Sequence, residues 1–241
     1  MTPEPQLPVT RTSVTGAFRD EGDALASVSG SLGPLDLARP SPCPPWLIAD
    51  LLAHIVIAAG RIGPAIEAAG NPPGDGDLVS AAGYYRPGER FSPTVNSDRI
   101  DIAGALARRL GDAAAIQAAL TTACQDSLTR LESAAPDQQA RTRHGDQMLL
   151  TDFAVTRVVE LAVHGLDVAA GLDRAPWLTG GAAAVVEALL LPGGTADAAV
   201  LRDQLECDRA GLIARLTGRA PLSSPQARVL ADHGVTRLAL G

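Results

Sequence analysis

Two segments of this chain are apolar on nearly every side, yet both contain ionisable side chains. They read WLIADLLAHIVIAAG over residues 46–60 and RVVELAVHGLDVAAG over residues 157–171. A helix that is apolar all round lies in the interior of its protein, so both segments are predicted to be central helices. Two such helices place their polar stripes most economically by turning them toward each other. The residues of the two stripes are Asp50, His54, Glu160, His164 and Asp167.

The spacing within the second segment predicts a metal site. Glu160 and His164 are four residues apart, so they project from one face of a helix, and Asp167 continues that face. A carboxylate and an imidazole on one helical turn supply two ligands for zinc or a similar divalent ion. His54 is the predicted third ligand, with Asp50 one turn earlier to orient its ring. Taken singly, Glu160 and His164 also fit a solvated helix face, and His54 fits a core histidine.

The composition favours a mainly α protein. Aromatic residues make up only 3% of the 241 residues, so Ala, Val and Leu must build the core, and Ala and Leu are the best helix formers. The polar stretch DQQARTRHGD is predicted to be a connector, and the tail RVLADHGVTRLALG is expected to supply one or two strands. These features predict an up-and-down helical bundle over residues 1–175 and a smaller C-terminal α+β region over residues 176–241. Six helices are expected, over about residues 15–28, 46–60, 97–134, 152–171, 179–191 and 196–216. The second begins at Trp46 with Pro45 in its first turn, and the fourth begins at a cap provided by Thr151 or Asp152.

Charge and cysteine content limit the partners of the protein. The formal net charge is −7 and there are no basic runs, which argues against a nucleic-acid partner. The sequence contains no lysine, and this excludes Schiff-base chemistry. Three widely spaced cysteines without a CxxC pair indicate a reducing compartment. With neither a secretory signal pattern nor an 18-residue apolar run, we expect a soluble cytoplasmic protein with no membrane partner.

The segment GYYRPGERF, residues 83–91, is predicted to be a binding loop. It lies in a stretch that several glycines and prolines interrupt, and long irregular connections often act as lids or binding loops. Tyr84, Tyr85 and Arg86 are therefore candidate cofactor-binding residues, together with Asp50. A plain surface loop is the alternative.

The two apolar segments together resemble the mycothiol-dependent maleylpyruvate isomerase family, within the wider DinB-like superfamily. CPPWLIADLLAHI matches the family pattern of a Trp, an Asp-Leu pair and a metal-binding His, and RVVELAVHGLD matches Arg, then Glu-x-x-x-His, then Asp. A weaker match is LTGRAPL around Arg219, which resembles the C-terminal domain of the family. The matching positions of the two main motifs are Trp46, Asp50, Leu51, His54, Arg157, Glu160, His164 and Asp167.

The resemblance implies a DinB-like four-helix bundle with a metal ion held by His54, Glu160 and His164. It also implies a second cofactor, mycothiol, a low-molecular-weight thiol that occupies the open position on the ion and is held there as a thiolate. This thiolate attacks a small electrophile, and the product is either an isomer or a thiol adduct. Zinc is the expected ion, with nickel, cobalt and iron as alternatives.

Catalytic roles are predicted for Arg157, Arg219 and Asp167. A guanidinium grips a carboxylate through two parallel hydrogen bonds, which makes both arginines candidates for holding an acidic substrate. Two other functions stay open for the same three ligands: a non-haem metal oxygenase or hydrolase, and a DinB-like binding module without catalysis. A zincin-type protease is disfavoured because the pattern is not HExxH. Helical bundles often pair, so a homodimer is compatible with the sequence.

Overall fold

Twelve helices and one two-stranded hairpin make up the part of the chain that the computed structural model describes, namely residues 9–70, 77–85, 93–191 and 196–238. The elements are α1 (Arg11–Gly30), α2 (Pro34–Leu37), α3 (Ile48–Ala59), α4 (Ile62–Ala69), α5 (Ala81–Tyr84), α6 (Pro93–Leu110), α7 (Ala113–Ser133), β1 (Gln139–Arg141), β2 (Gln147–Leu149), α8 (Leu150–Gly171), α9 (Gly180–Leu190), α10 (Ala198–Gln204), α11 (Arg209–Leu216) and α12 (Ser224–Asp232).

The centre of the molecule is a bundle of α1, α3, α7 and α8. Helices α1 and α3 each pack against both α7 and α8. Most residues of α3 and of α8 are buried, which confirms that the two apolar segments are central helices. The bundle is tight: a Cβ at Gly22 of α1 would lie 2.7 Å from Cys124 Sγ of α7, so a larger residue there would force the Cys124 side chain or a helix to shift.

The remaining helices cover this bundle and position its functional face. Helix α6 packs on α3, α9 packs on α1 and α8, and α11 packs on α8 and α9. The hydrophobic core is continuous from Val14 in α1 to Leu230 in α12, and the predicted division near residue 175 stays a prediction. Among the described residues, no single helix is long and apolar enough to cross a membrane. Helices α3 and α4, bent by 40° relative to each other, reach that length and apolar composition only as a pair.

The predicted fold class, a helical bundle with a small α+β part, is confirmed, but the strands come from a different place. Strands β1 and β2 pair antiparallel, with Ala140 opposite Met148, and Gly145 turns the chain between them at φ 92°. Strand β1 and the turn therefore lie in the predicted polar connector, and β2 follows directly after it. In the tail, the described residues form α12 instead of strands, since Ser223 caps a helix there by accepting a hydrogen bond from the Gln226 N–H.

Several predicted helix boundaries are wrong. The helix expected over 97–134 is two helices, because Gly111 adopts φ 81° and Asp112 then caps α7. The helix expected over 196–216 also divides, at Glu206, whose φ is 49°. Helix α3 begins at Ile48 and not at Trp46. Helix α8 begins at Leu150 directly after β2, with no side-chain cap, so the cap expected at Thr151 or Asp152 is absent.

Candidate metal centre

The polar stripes of α3 and α8 face each other, and they bring three potential metal ligands together. His54 Nε2 on α3 lies 3.4 Å from Glu160 Oε2 on α8, and His164 Nε2 lies 3.4 Å from the same oxygen. One ligand atom from each of the three side chains lies within 4.8 Å of the other two. Atoms at the corners of a tetrahedron around zinc, each about 2.0–2.2 Å from the ion, are about 3.3–3.6 Å apart. The donor set and its spacing therefore fit a divalent cation.

Asp167 fixes the orientation of the His164 ring. The Nδ1–H of His164 donates to Asp167 Oδ2 at 2.9 Å, which leaves Nε2 to face Glu160. Arg219 contacts both oxygens of this carboxylate, with Nε 3.3 Å from Oδ1 and a terminal nitrogen 3.3 Å from Oδ2. Burial opposes ionisation of Asp167, but the hydrogen bond from His164 and the charge of Arg219 outweigh it and lower the pKa. This is the carboxylate–histidine arrangement that typically supports a metal ligand.

His54 is held by two aromatic contacts. The Trp46 ring stacks on it with centroids 4.8 Å apart, and His164 meets it edge-on at 5.0 Å. Burial lowers the pKa of His54 to about 4, and the hydrogen bond with Glu160 offsets this only in part. The ring is therefore neutral at physiological pH, which is the form that binds a metal ion.

Glu160 lies between the two imidazoles and one arginine. Burial would raise the pKa of this carboxyl, but the hydrogen bonds with His164 and His54 and the charge of Arg157 hold it well below the usual value. A terminal nitrogen of Arg157 is 3.8 Å from Oε1, the oxygen that points away from the histidines. Arg157 is only 5% exposed, and its guanidinium lies 4.8 Å from the centroid of the Phe153 ring. Glu160 is thus ionised and fixed in place.

His164 carries the opposite pKa shift. Burial alone would lower the pKa of this imidazole, but its contacts with Asp167, Cys43 and Glu160 outweigh burial and raise the pKa well above the usual value. A cation at this position takes the place of a proton, so we expect metal binding to release protons.

Two cavities adjoin the ligand cluster. The larger, of about 950 Å³, is lined by His164, Asp167 and Arg219 among others, and four arginines contribute to its wall. The smaller, of about 70 Å³, is lined by residues that include His54 and Glu160. The large cavity falls within the size range of small-molecule sites, about 300–1,000 Å³. The four arginines of its wall are Arg99, Arg174, Arg219 and Arg237.

A comparison with family models identifies the relatives of this bundle. The model of the mycothiol maleylpyruvate isomerase N-terminal domain matches residues 18–169, which is more than half of the chain and includes all three ligand candidates. The chain belongs to this family. The predicted family is thereby confirmed, and the helical bundle agrees with the DinB-like superfamily. No curated protein and no solved structure matches the chain.

The residues predicted to bind cofactor do not share one environment in this member of the mycothiol maleylpyruvate isomerase family. Asp50 Oδ2 accepts a hydrogen bond from the Leu47 N–H and so caps α3. The Tyr84 hydroxyl accepts a hydrogen bond of 3.5 Å from Arg157 and lines the small cavity. Tyr85 is 5% exposed, and its hydroxyl donates to the Thr156 carbonyl. Arg86 and residues 87–91 lie outside the described residues. These assignments stay predictions.

The family motifs leave out one side chain of the site, Cys43. Its Sγ–H donates to Asp167 Oδ2 at 3.3 Å, and the residue lines the large cavity. Sequence reasoning missed it because a cysteine in a proline-rich loop has no periodicity to indicate where it lies. The other two histidines are elsewhere: His144 Nε2 accepts a hydrogen bond from Arg143, and His233 Nε2 lies 2.9 Å from Gln204 Oε1.

Proposed function

We propose that this protein is a divalent-metal-dependent enzyme that uses mycothiol to isomerise a small electrophile or to transfer the thiol to it. The observation that carries the proposal is the convergence of two imidazole nitrogens on one carboxylate oxygen, both at 3.4 Å, beside a cavity of about 950 Å³. Membership of the mycothiol maleylpyruvate isomerase family supports the thiol.

In this proposal His54, Glu160 and His164 hold the ion. Three protein ligands leave at least one coordination position open, which is typical of catalytic zinc sites. A bound ion supplies a Lewis acid that lowers the pKa of a coordinated thiol, so that the thiolate is present at neutral pH. Zinc suits two nitrogens and one oxygen, and nickel, cobalt and iron accept the same ligands.

The surrounding residues of the chain keep this site in one geometry. Asp167 accepts a hydrogen bond from the Nδ1–H of His164, which leaves the Nε2 lone pair of the imidazole for the ion, and Arg219 holds Asp167. The Arg219 guanidinium also donates to the Thr217 carbonyl at 2.9 Å, so most of its donors are engaged. We therefore assign Arg219 a positioning role. Arg157 lines the small cavity and contacts Glu160, Thr156 and Tyr84, and its predicted role in gripping a carboxylate of the substrate stays a prediction.

Elemental analysis combined with a mycothiol titration tests the proposal. We expect one divalent ion per chain in the wild-type protein and in the control variant His233→Ala, which changes a histidine far from the site. The His164→Ala variant is expected to lose the ion. Mycothiol should raise the melting temperature of the metal-loaded wild type, because a ligand that binds only the folded state stabilises it. Unchanged metal content in His164→Ala would exclude the proposed site.

The same measurements separate the alternatives. Two histidines and a carboxylate are also the ligands of non-haem iron oxygenases, which would contain iron and consume oxygen. A hydrolase would bind metal without a response to mycothiol, and a binding module would lack both. The three cysteines are free, in keeping with the proposed reducing cytoplasm. A homodimer and the lack of a nucleic-acid partner also stay predictions.

A further inference from the structure

We infer that Cys43 is a modification site, at which the disulfide form of the thiol cofactor reacts to leave one thiol attached to the protein. The inference rests on the proposed function, because it takes the large cavity to be the place where the thiol binds. Attachment there would occupy the cavity and inhibit the enzyme reversibly.

The position of Cys43 next to the proposed metal ligands supports this inference. The residue is half-buried, lines the large cavity and donates its S–H to Asp167. Cys43 Sγ and the ligand atoms of His164 and Asp167 lie within 4.8 Å of one another. His164 therefore has the metal ligand Glu160 on its Nε2 side and the Asp167–Cys43 pair on its Nδ1 side. A thiol or disulfide compound bound in the large cavity therefore has its sulfur close to Cys43 Sγ.

A second feature of the same wall indicates a polar ligand. Trp46 is 8% exposed and lines the large cavity, and its indole Nε1–H is buried with no hydrogen-bond partner in the described part of the chain. The Trp46 backbone N–H donates to the Cys43 carbonyl at 3.0 Å, so the indole and the thiol belong to one turn. A buried donor without a partner destabilises the folded protein, and an acceptor group on a bound ligand removes this penalty.

The other two cysteines provide natural comparisons. Cys124 is buried between α1 and α7, and burial raises its pKa to about 12. Cys207 is half-buried like Cys43 but does not line the large cavity, and partial burial raises its pKa. Partial exposure alone therefore does not distinguish Cys43 from Cys207, whereas the cavity does.

The reaction is a thiol–disulfide exchange and needs no external oxidant. The Cys43 sulfur, as its thiolate, attacks one sulfur of mycothiol disulfide and forms a new S–S bond. The S–S bond of mycothiol disulfide breaks, and the departing thiolate takes up the proton that Cys43 has released. One mixed disulfide and one mycothiol result, and a reducing thiol reverses the reaction.

Peptide mass spectrometry of the metal-loaded full chain treated with mycothiol disulfide tests the inference. We expect Cys43 to be modified about tenfold or more faster than Cys207, as directed exchange requires. Reduced mycothiol should compete for the cavity and lower the initial rate of modification at Cys43 only, whereas its later reversal of the exchange affects both cysteines. Hydroxyethyl disulfide, which lacks the rest of the cofactor, should show no such preference. The Cys207→Ser variant is expected to retain the single adduct, and the Cys43→Ser variant, with its folding checked by circular dichroism, to lose it.

Equal rates at Cys43 and Cys207, or a rate at Cys43 that reduced mycothiol does not slow, would overturn the inference. The proposed function fails in a different way, through a lack of metal or of a mycothiol-dependent melting shift in the untreated protein. A protein that binds both metal and mycothiol while Cys43 stays unmodified refutes the inference alone.

Discussion

At the scale of single residues, His164 connects the two halves of the site. One ring nitrogen faces Glu160 at 3.4 Å, and the other donates to Asp167 at 2.9 Å. An imidazole cannot coordinate through one nitrogen in a fixed direction unless its other nitrogen is held. The buried Asp167, itself held by Arg219, performs this task, so we expect any effect of Asp167 on the proposed metal ion to pass through His164.

The variant Asp167→Asn tests this coupling. Asparagine preserves the shape of the side chain but removes the charge that fixes the His164 tautomer, so we expect the affinity for zinc to fall by about 10–100-fold. Competition with a chromophoric chelator measures the change. Asp173→Asn is the matched control, because Asp173 is exposed and pairs with Arg39 on the surface. Equal zinc affinity in Asp167→Asn and the wild type would mean that Asp167 does not orient the ligand.

The sequence allowed part of this site to be predicted, for a local reason. Glu160, His164 and Asp167 share one face of one helix, and helical geometry alone places them together. The contribution of Cys43 depends on how a proline-rich loop packs against α8, and the contact of Arg219 with Asp167 depends on a segment 52 residues away in the chain. Contacts between distant segments leave no periodic signal in a single sequence.

At the scale of elements, the apolar helices could be predicted from the sequence, but the breaks that divide two other predicted helices could not. Helices α3, α8 and α9 coincide with long runs of Ala, Val and Leu, which indicated them. The break between α6 and α7 falls at Gly111, and that between α10 and α11 at Glu206, both with positive φ. Each break is followed by a capping aspartate, which was the available signal. The short strands β1 and β2 have only three residues each, too few for alternation to be recognised.

The end of α8 is packed closely against the loop that precedes α3, and the variant Gly171→Ala tests this contact. A Cβ at Gly171 would lie 2.7 Å from Ile48 Cδ1 and 3.3 Å from the Pro40 carbonyl oxygen. Because backbone as well as side chain must shift, we expect the free energy of unfolding to fall by about 1–3 kcal/mol. Urea denaturation measures this loss.

A matched substitution in α1 provides the control. A Cβ at Gly16 would meet nothing within 4 Å, so Gly16→Ala should stabilise the protein by about 0.5–1 kcal/mol through helix propensity alone. If Gly171→Ala were as stable as the wild type, the loop that carries Cys43 and Trp46 would have to be looser than the structure indicates.

At the scale of the whole molecule, the candidate site draws on regions far apart in the chain. The family match ends at residue 169, whereas the wall of the large cavity includes Arg219 and Arg237. Helix α9 packs on α1 and α8, and its Val185 and Val186 belong to the same core as the bundle. The bundle and the C-terminal region are therefore expected to depend on each other for stability and not only for function.

This dependence predicts that the chain unfolds in one cooperative step, although its sequence suggested a division near residue 175. The two tryptophans lie on opposite sides of that boundary, so the variants Trp177→Phe and Trp46→Phe each leave one fluorescent probe, in the bundle or just beyond it. In urea, the fluorescence transition of each variant should coincide with the circular dichroism transition of the same variant, as two-state unfolding requires. A dichroism change that precedes the fluorescence change of Trp46 would instead indicate a C-terminal region that unfolds by itself. The contacts of α9 would then contribute little to the stability of the bundle.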